Sequence, residues 1–353
     1  MDAIEAAGWA AECYPSWAEA VDPWFAWSDQ QTLEQAVDLD RDVLRRFAPS
    51  LVINDCRIPM VIAALAEGVP LVSVCQDNQI PGYSYDGSAI PATWTTPLPS
   101  INAVLHRLHL EPVGDDARWL FARGRIAVPS TPELEPICSP HRDGLDLVYT
   151  GLLTKPGPGT VDDPSDVLFY RTVGALDDDF RAAFGDWDGS IYIATGEARG
   201  SDCSSHDELP NLQVRALWDL DAIGPGLRAV VHHGGHGVTL RCIAEGVPAV
   251  VLPGSNPERS ANGDRAERIG MATVMKLERD TGPVWGPAVD ATGDRPPWSE
   301  VRRALDQLPA RRLGPRPPNS ADRPAAQVVL LLAAPSPTSK PDTSSTSARR
   351  TRS

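Results

Sequence analysis

The sequence predicts an α/β protein of two domains, each carrying a parallel sheet. Three observations predict it. At 353 residues the chain is long enough for two domains. Two segments, Leu51 to Cys75 and Leu227 to Leu252, each read as strand, helix and second strand, with Gly-Val-Pro (Gly68 to Pro70, Gly246 to Pro248) before the second strand. Such β-α-β units form parallel sheets, because the crossover returns the chain in the same direction. Between them Lys155 to Asp166, KPGPGTVDDPSD, has the Pro/Gly-rich composition of an interdomain connection.

Residues 1–50 look helical and acidic, with Trp9, Trp17, Trp24 and Trp27 among the first 27 residues. Gln31 to Phe47 has apolar residues at helical spacing (Leu33, Val37, Val43, Leu44, Phe47). A short buried strand over Ser50 to Asp55 and a helix from Pro59 to Glu67 follow, then a strand from Leu71 to Cys75. Gln76 to Leu98 is rich in Gly, Pro, Ser, Tyr and Asp, a composition common in loops that line sites at strand ends. A helix over Ile101 to Leu110 and strands at Arg125 to Val128 and Leu147 to Gly151 complete the first domain. The second opens with a strand at Val167 to Val173, a helix at Leu176 to Phe184 and a strand at Ser190 to Thr195. Leu212 to Trp218 is a further strand candidate, and Ala321 to Ala334 reads as a closing helix. The Ser/Thr/Pro/Arg-rich residues 335–353 have the composition of a disordered tail. The expected division is therefore 1–152, a linker over 153–166, 167–320, a closing helix over 321–334, and the tail.

Composition excludes several function classes. Hydrophobic residues make up 42 % of the chain, the net charge is −15 and the pI is near 4.9. That balance argues against an electrostatic nucleic-acid binder and against a broad basic membrane surface, while leaving local peripheral contact with a membrane open. Six cysteines without C-x-x-C spacing suit reduced thiols, and no signal peptide or bilayer-spanning apolar run is read, so a soluble cytoplasmic protein is expected.

The most informative stretch is LRAVVHHGGHGVTLRCIAEGVPAVVLPGSNPERSANGDRAERIG, Leu227 to Gly270. An apolar strand runs into His232, His233, Gly234, Gly235, His236 and Gly237, and a helix follows. The first free N–H groups of such a helix, at its positive end, suit a phosphate. Glycines there permit close backbone approach and positive φ. Three imidazoles also raise a metal site, but zinc needs three or four tetrahedral ligands and no Cys or carboxylate lies at ligand spacing, so none is expected.

His233-Gly234-Gly235, Thr239 six residues after the His, Glu245 to Pro248, Pro253, and then Glu258 and Asn262 resemble the donor-binding region of GT-B glycosyltransferases. The resemblance is to the bacterial UDP-glycosyltransferase-like enzymes that modify natural products, lipids and sterols. It covers roughly residues 50–334, strongly at 227–270. It implies two Rossmann-like domains facing a cleft, with the donor diphosphate on His233, Gly234, Gly235, Gly237 and Thr239. The family's acidic–Gln pair for sugar hydroxyls falls on Glu258 and Arg259, where Arg is a departure. Val238 replaces a common Thr or Ser. Trp218 lies where relatives contact the nucleotide base, with core packing as the alternative. Asn262 belongs to the same donor motif.

The resemblance further implies a sugar transfer from a nucleotide-diphosphate sugar, UDP- or dTDP-linked, to a hydroxyl of a small-molecule or lipid acceptor. Inversion without metal and without a separate cofactor is expected. Family members begin with a strand and a Gly-rich loop carrying a His that acts as general base. Here no His precedes His106, and the count back from Asp55 leaves no room for an opening β-α-β unit, so the first domain is expected to be short of its opening strand and the base is unassigned. Asp55 matches the Asp that orients that His; capping of the next turn is the alternative. Two further readings stay open: a truncated relative that binds nucleotide sugar without transferring it, and an epimerase or hydrolase of nucleotide sugars.

Overall fold

Two parallel sheets organise the chain. The structure is a computed structural model and describes residues 27–83, 90–132, 134–137, 144–151, 161–170, 177–196, 209–254, 256–276 and 297–309. The first sheet contains β1 (Val52–Asp55), β2 (Leu71–Val74), β3 (Arg125–Val128) and β4 (Leu147–Tyr149), in the order β1-β2-β3-β4. Every pairing is parallel. One face carries the core made with α1 (Gln30–Phe47), α2 (Ile58–Ala66) and α3 (Leu98–Arg107), where Leu33, Val37, Val61, Ile62, Ile101 and Leu105 are buried. Asp29 starts α1 by accepting the Thr32 N–H, an N-cap bond that satisfies one of the orphan donors. Glu67, just past α2, accepts from both Arg41 and Arg45 of α1 and fixes the two helices together.

The second sheet contains β5 (Asp166–Tyr170), β6 (Ile191–Ala194), β7 (Leu212–Arg215), β8 (Leu227–His232), β9 (Ala249–Val251) and β10 (Ala272–Val274). Its order is β10-β9-β8-β5-β6-β7, again parallel throughout. Phe169, the Phe180 and Phe184 of α4 (Asp178–Phe184) and the Trp298 of α7 (Trp298–Gln307) form a buried aromatic cluster on one face, with ring centroids 4.9–6.3 Å apart. On the other face α5 (His236–Glu245) and α6 (Pro257–Arg268) close a core of Leu168, Val230, Leu240, Ile243, Val251 and Ala266.

The expected α/β architecture with two parallel sheets is present. Several boundaries move. Asp166, placed in the linker by the sequence, is the first residue of β5, where its carboxylate accepts the Ser190 N–H at 2.8 Å. The helix expected at Ile101 to Leu110 begins three residues earlier, and α3 ends before His109, whose φ is 57°. β7 stops at Arg215, three residues short of Trp218. Helix α7 is an element that the sequence pattern does not announce: only Trp298, Val301, Ala304 and Leu305 of its ten residues are buried, a narrow apolar stripe in a charged sequence. Trp9, Trp17, Trp24, most of the linker, the closing helix and the tail lie outside the described residues.

Candidate functional site

In the second sheet the chain runs β5-β6-β7 in one direction, then crosses back so that β8, β9 and β10 continue on the other side of β5. The strand order therefore reverses between β5 and β8. In open α/β sheets the crevice at the carboxyl ends of two such strands is where ligands lie, because the flanking loops diverge there. Tyr170 ends β5 and His232 ends β8, and they are register partners. The His-Gly-Gly loop leaves the sheet at this point.

Each residue of the loop has a physical reason. His232 is fully buried; its Nδ1 accepts the Gly234 N–H at 3.0 Å, which leaves the ring proton on Nε2. Burial, with neighbouring His233 adding to it, pushes the His232 pKa down to about 3, so the ring is neutral. Gly234 has φ +83, and a Cβ there would lie 2.5 Å from the Arg259 carbonyl oxygen and 3.1 Å from Val251 Cγ1. Its own carbonyl accepts from Asn262 Nδ2 at 3.0 Å. Helix α6 thus grips the loop through the Arg259 backbone and the Asn262 side chain. His233 lies flat against Tyr170, with ring centroids 6.0 Å apart and planes 18° apart, and a Cβ on Gly235 would meet its Nε2 at 2.6 Å.

Gly235 is the N-cap of α5 and supplies no capping side chain, so the first-turn N–H groups have no intrahelical partner. Gly237 is exposed, with nothing within 4 Å of an added Cβ. Fold packing does not demand a glycine there, and its absence of a side chain leaves the backbone open to approach. The loop presents free N–H groups, a positive helix end and an imidazole, which is the chemistry of an anion site.

Other expected site residues have partners within the fold. The Thr239 hydroxyl is buried and donates to the Gly235 carbonyl at 2.8 Å, closing the first turn of α5. Asn262 is buried and braces Gly234. Trp218 is half-buried, donates its indole N–H to the Ile193 carbonyl at 2.9 Å, meets the Tyr192 ring edge-on and carries the Arg215 guanidinium 4.2 Å from its ring centroid. Arg259 is held at the start of α6, its N–H donating to the Asn256 cap at 3.1 Å. Asp55 is exposed at the carboxyl end of β1, and its carboxylate takes no hydrogen bond or ion pair among the described residues.

Glu258, in the first turn of α6, is half-buried and accepts from Asn78 Nδ2 at 3.1 Å. Burial holds its carboxyl above the usual range, with nearby Asp77 and Glu135 adding to the effect and His236 opposing it. That contact comes from the first domain, and others accompany it. Arg265 of α6 forms a buried ion pair with Asp77 and donates to Tyr83 Oη at 2.9 Å. Burial would depress the Arg265 pKa, but Asp77 outweighs it and the net shift is upward. His236, first residue of α5, makes a short contact through Nε2 with Glu135, which is 2 % exposed and also accepts the Asp77 N–H at 3.2 Å. Buried Arg118, paired with Asp116, donates to the carbonyls of Asn78 and Tyr83 and so holds the first-domain loop in place.

Loops at the carboxyl ends of β2 and β3 therefore meet the amino end of α5 and one side of α6. The two domains face each other over the His-Gly-Gly loop. The composition of residues 76–98 marks them as a site-lining loop, but it singles out none of Asp77, Asn78 or Tyr83, and it gives Glu135 and Arg265 no role. Nothing in their local spacing distinguishes them. Among the described residues, no group of three or more His, Cys, Asp or Glu side chains is arranged to hold a metal ion. No helix among them is long and apolar enough to cross a membrane.

No protein-family model matches the chain. A 94-residue stretch is 30 % identical to a putative UDP-glucuronosyltransferase of Caenorhabditis elegans, ugt-60. That match spans 26 % of this chain but only 18 % of the relative's length. Solved structures share the fold. The calicheamicin glycosyltransferase CalG4 superposes with a TM-score of 0.56 at 17 % identity, over 87 % of this chain and 79 % of its own. The spinosyn forosaminyltransferase SpnP gives 0.52 at 18 % identity, over 90 % of this chain and 84 % of its own. A transferase from Siraitia grosvenorii in complex with UDP gives 0.51 at 14 % identity, over 79 % of each chain. The chain thus has the GT-B glycosyltransferase fold.

Proposed function

We propose that this protein transfers a hexose from a nucleotide-diphosphate sugar, UDP- or dTDP-linked, to a hydroxyl group of a small-molecule or lipid acceptor. One observation carries the reading: the His233–Gly237 loop, with its open Gly237 and uncapped helix end, stands at the strand-order reversal of the second sheet. The shared fold supports it. So does the UDP complex of the Siraitia grosvenorii transferase.

The diphosphate would lie on His233 and on the N–H groups at the start of α5. The acceptor oxygen forms its bond to the anomeric carbon as the bond to the diphosphate oxygen breaks. That oxygen keeps the electron pair, the acceptor's hydroxyl proton passes to water, and attack from the opposite side inverts the centre. Charge developing on the leaving diphosphate is met by preorganised N–H donors and the helix dipole, so the reading requires no metal ion. Glu258 and Arg259 stand at the same end of the cleft for sugar hydroxyls, and Trp218 is the candidate neighbour of the base.

A second reading, binding without transfer, is favoured by Asp55, whose exposed carboxylate orients no imidazole among the described residues. Calorimetric titration with UDP, dTDP and GDP, with and without divalent metal, tests the donor site. Saturable, metal-independent binding is expected. His233→Ala should weaken it by about 1–3 kcal/mol, the scale of a charge-assisted hydrogen bond. Unchanged affinity in a folded variant refutes the assignment. Product formation against a panel of hydroxyl acceptors then separates transfer from binding alone.

A further inference from the structure

We propose that His236 is a second imidazole of the donor site: Glu135 of the opposite domain holds its Nε2, and its Nδ1 is left to donate to the diphosphate of a nucleotide sugar. The proposal rests on the donor reading above and adds a residue to it that neither the sequence motif nor the fold assigns.

Position comes first. His236 is the first residue of α5, and Cα–Cβ bonds of a helix tilt toward its amino end. The His236 Cβ therefore leans toward the helix end that carries the free N–H groups. Its Nε2 is engaged by Glu135, and Nδ1 has no hydrogen-bond partner among the described residues. A carboxylate on one ring nitrogen fixes the proton there and orients the other nitrogen. Glu135 is itself immobilised, because its second oxygen accepts the Asp77 N–H. A carboxylate with 2 % exposure reaching across a domain boundary to a histidine is costly to bury unless that partner is charged.

Charge comes next. Around His236 stand Glu135 from the loop after β3, Asp77 from the loop after β2 and Glu258 from α6, with His233 on the adjoining loop and Arg259 and Arg265 on α6. Burial pulls the His236 pKa down, but hydrogen bonding and attraction from Glu135, then Glu258 and Asp77, outweigh it, and the net shift is upward. The imidazolium form thus persists to higher pH than in a free histidine. A protonated ring cannot take the acceptor's proton. It can donate a hydrogen bond to the oxygen that gains charge. In an inverting displacement the nucleophile enters opposite the leaving group, so a residue on the phosphate loop serves the leaving diphosphate. The ring keeps its proton throughout, and Glu135 acts through it as a positioning residue.

The test is titration of UDP and dTDP into the wild type, His236→Gln, Glu135→Gln and the double variant, from pH 5.5 to 9. The phosphate's own ionisation is common to all four, so the difference between wild type and variant isolates the imidazole. At pH 6 the expected loss in His236→Gln is about ten-fold, the scale of one hydrogen bond to a charged group. That loss should vanish as the pH rises through the imidazolium's titration, and Glu135→Gln should move the midpoint to lower pH. The double variant, which keeps two amides in contact, guards against a folding defect from a lone buried carboxylate. If His236→Gln matches the wild type at every pH while His233→Ala weakens binding, the inference fails and the donor site stands. If the folded wild type binds neither nucleotide at any pH, the donor reading fails and this inference with it.

Discussion

Replacing Arg265 by Met removes the cation that joins α6 to the first domain. Arg265 is 8 % exposed, is paired with an Asp77 that is 2 % exposed, and also donates to Tyr83 Oη. Without it, Asp77 loses its ion-pair partner while keeping the Asn78 N–H at 2.7 Å, and it lies close to the carboxylates of Glu135 and Glu258. Breaking a buried pair on one side in this way costs about 3–5 kcal/mol, because an ionised carboxylate is left out of water. Asp77→Asn should cost a similar amount for the converse reason. Removing both ends together, Asp77→Asn with Arg265→Met, should return to within about 2 kcal/mol of the wild type, since no orphaned charge remains.

Urea denaturation measures all four proteins. Trp94 reports on the first domain and Trp298 on the second, so a transition that splits in the single variants locates the loss at the boundary between domains. Strictly additive single-variant losses, or single losses below about 1 kcal/mol, would refute the reasoning. Either result would mean that Asp77 and Arg265 are solvated separately and that the loops after β2 and β3 do not meet α6.

Two glycines of the His-Gly-Gly loop should separate stability from binding. Gly234→Ala forces a side chain into left-handed backbone, at about 1–2 kcal/mol, and adds a clash with the Arg259 carbonyl, so thermal stability and nucleotide affinity should both fall. Gly237→Ala meets no atom within 4 Å, so its melting temperature should stay close to wild type while nucleotide affinity falls; equal affinity would show that no ligand approaches there. Acid should destabilise the fold through His232. Its folded pKa is lowered to about 3, so its contribution is intact above the unfolded value of about 6.5 and is lost as pH falls toward 3, by up to about 1.4 kcal/mol per pH unit. His236 acts with the opposite sign: its raised pKa stabilises fully below 6.5, and that stabilisation is lost as pH rises through its folded value. Over pH 6 to 4, His232→Gln should therefore show a shallower stability slope than wild type, and parallel slopes would contradict the buried neutral ring.

Local sequence determined much of this protein. The two β-α-β units, the parallel sheets and the phosphate-type loop are written in contiguous residues, because strand alternation, helix starts and glycine-permitted turns are decided within a few positions. The loop from His233 to Gly237 is therefore legible in the chain itself. Tertiary structure decided which partners the motif's polar groups take within the fold. Thr239 and Asn262 match the motif by spacing; the Thr239 hydroxyl bonds the Gly235 carbonyl within one helical turn, while the Asn262 amide reaches the Gly234 carbonyl across 28 positions, which only the tertiary fold brings together. The Trp218 indole N–H is likewise spent on β6. Asp77 and Arg265 are 188 positions apart, and Glu135 and His236 are 101 apart. No periodicity links such residues; only the facing of two sheets brings them together. Their charges, ordinary on a solvated surface, become a shared property of the cleft because burial removes the water that would have screened them.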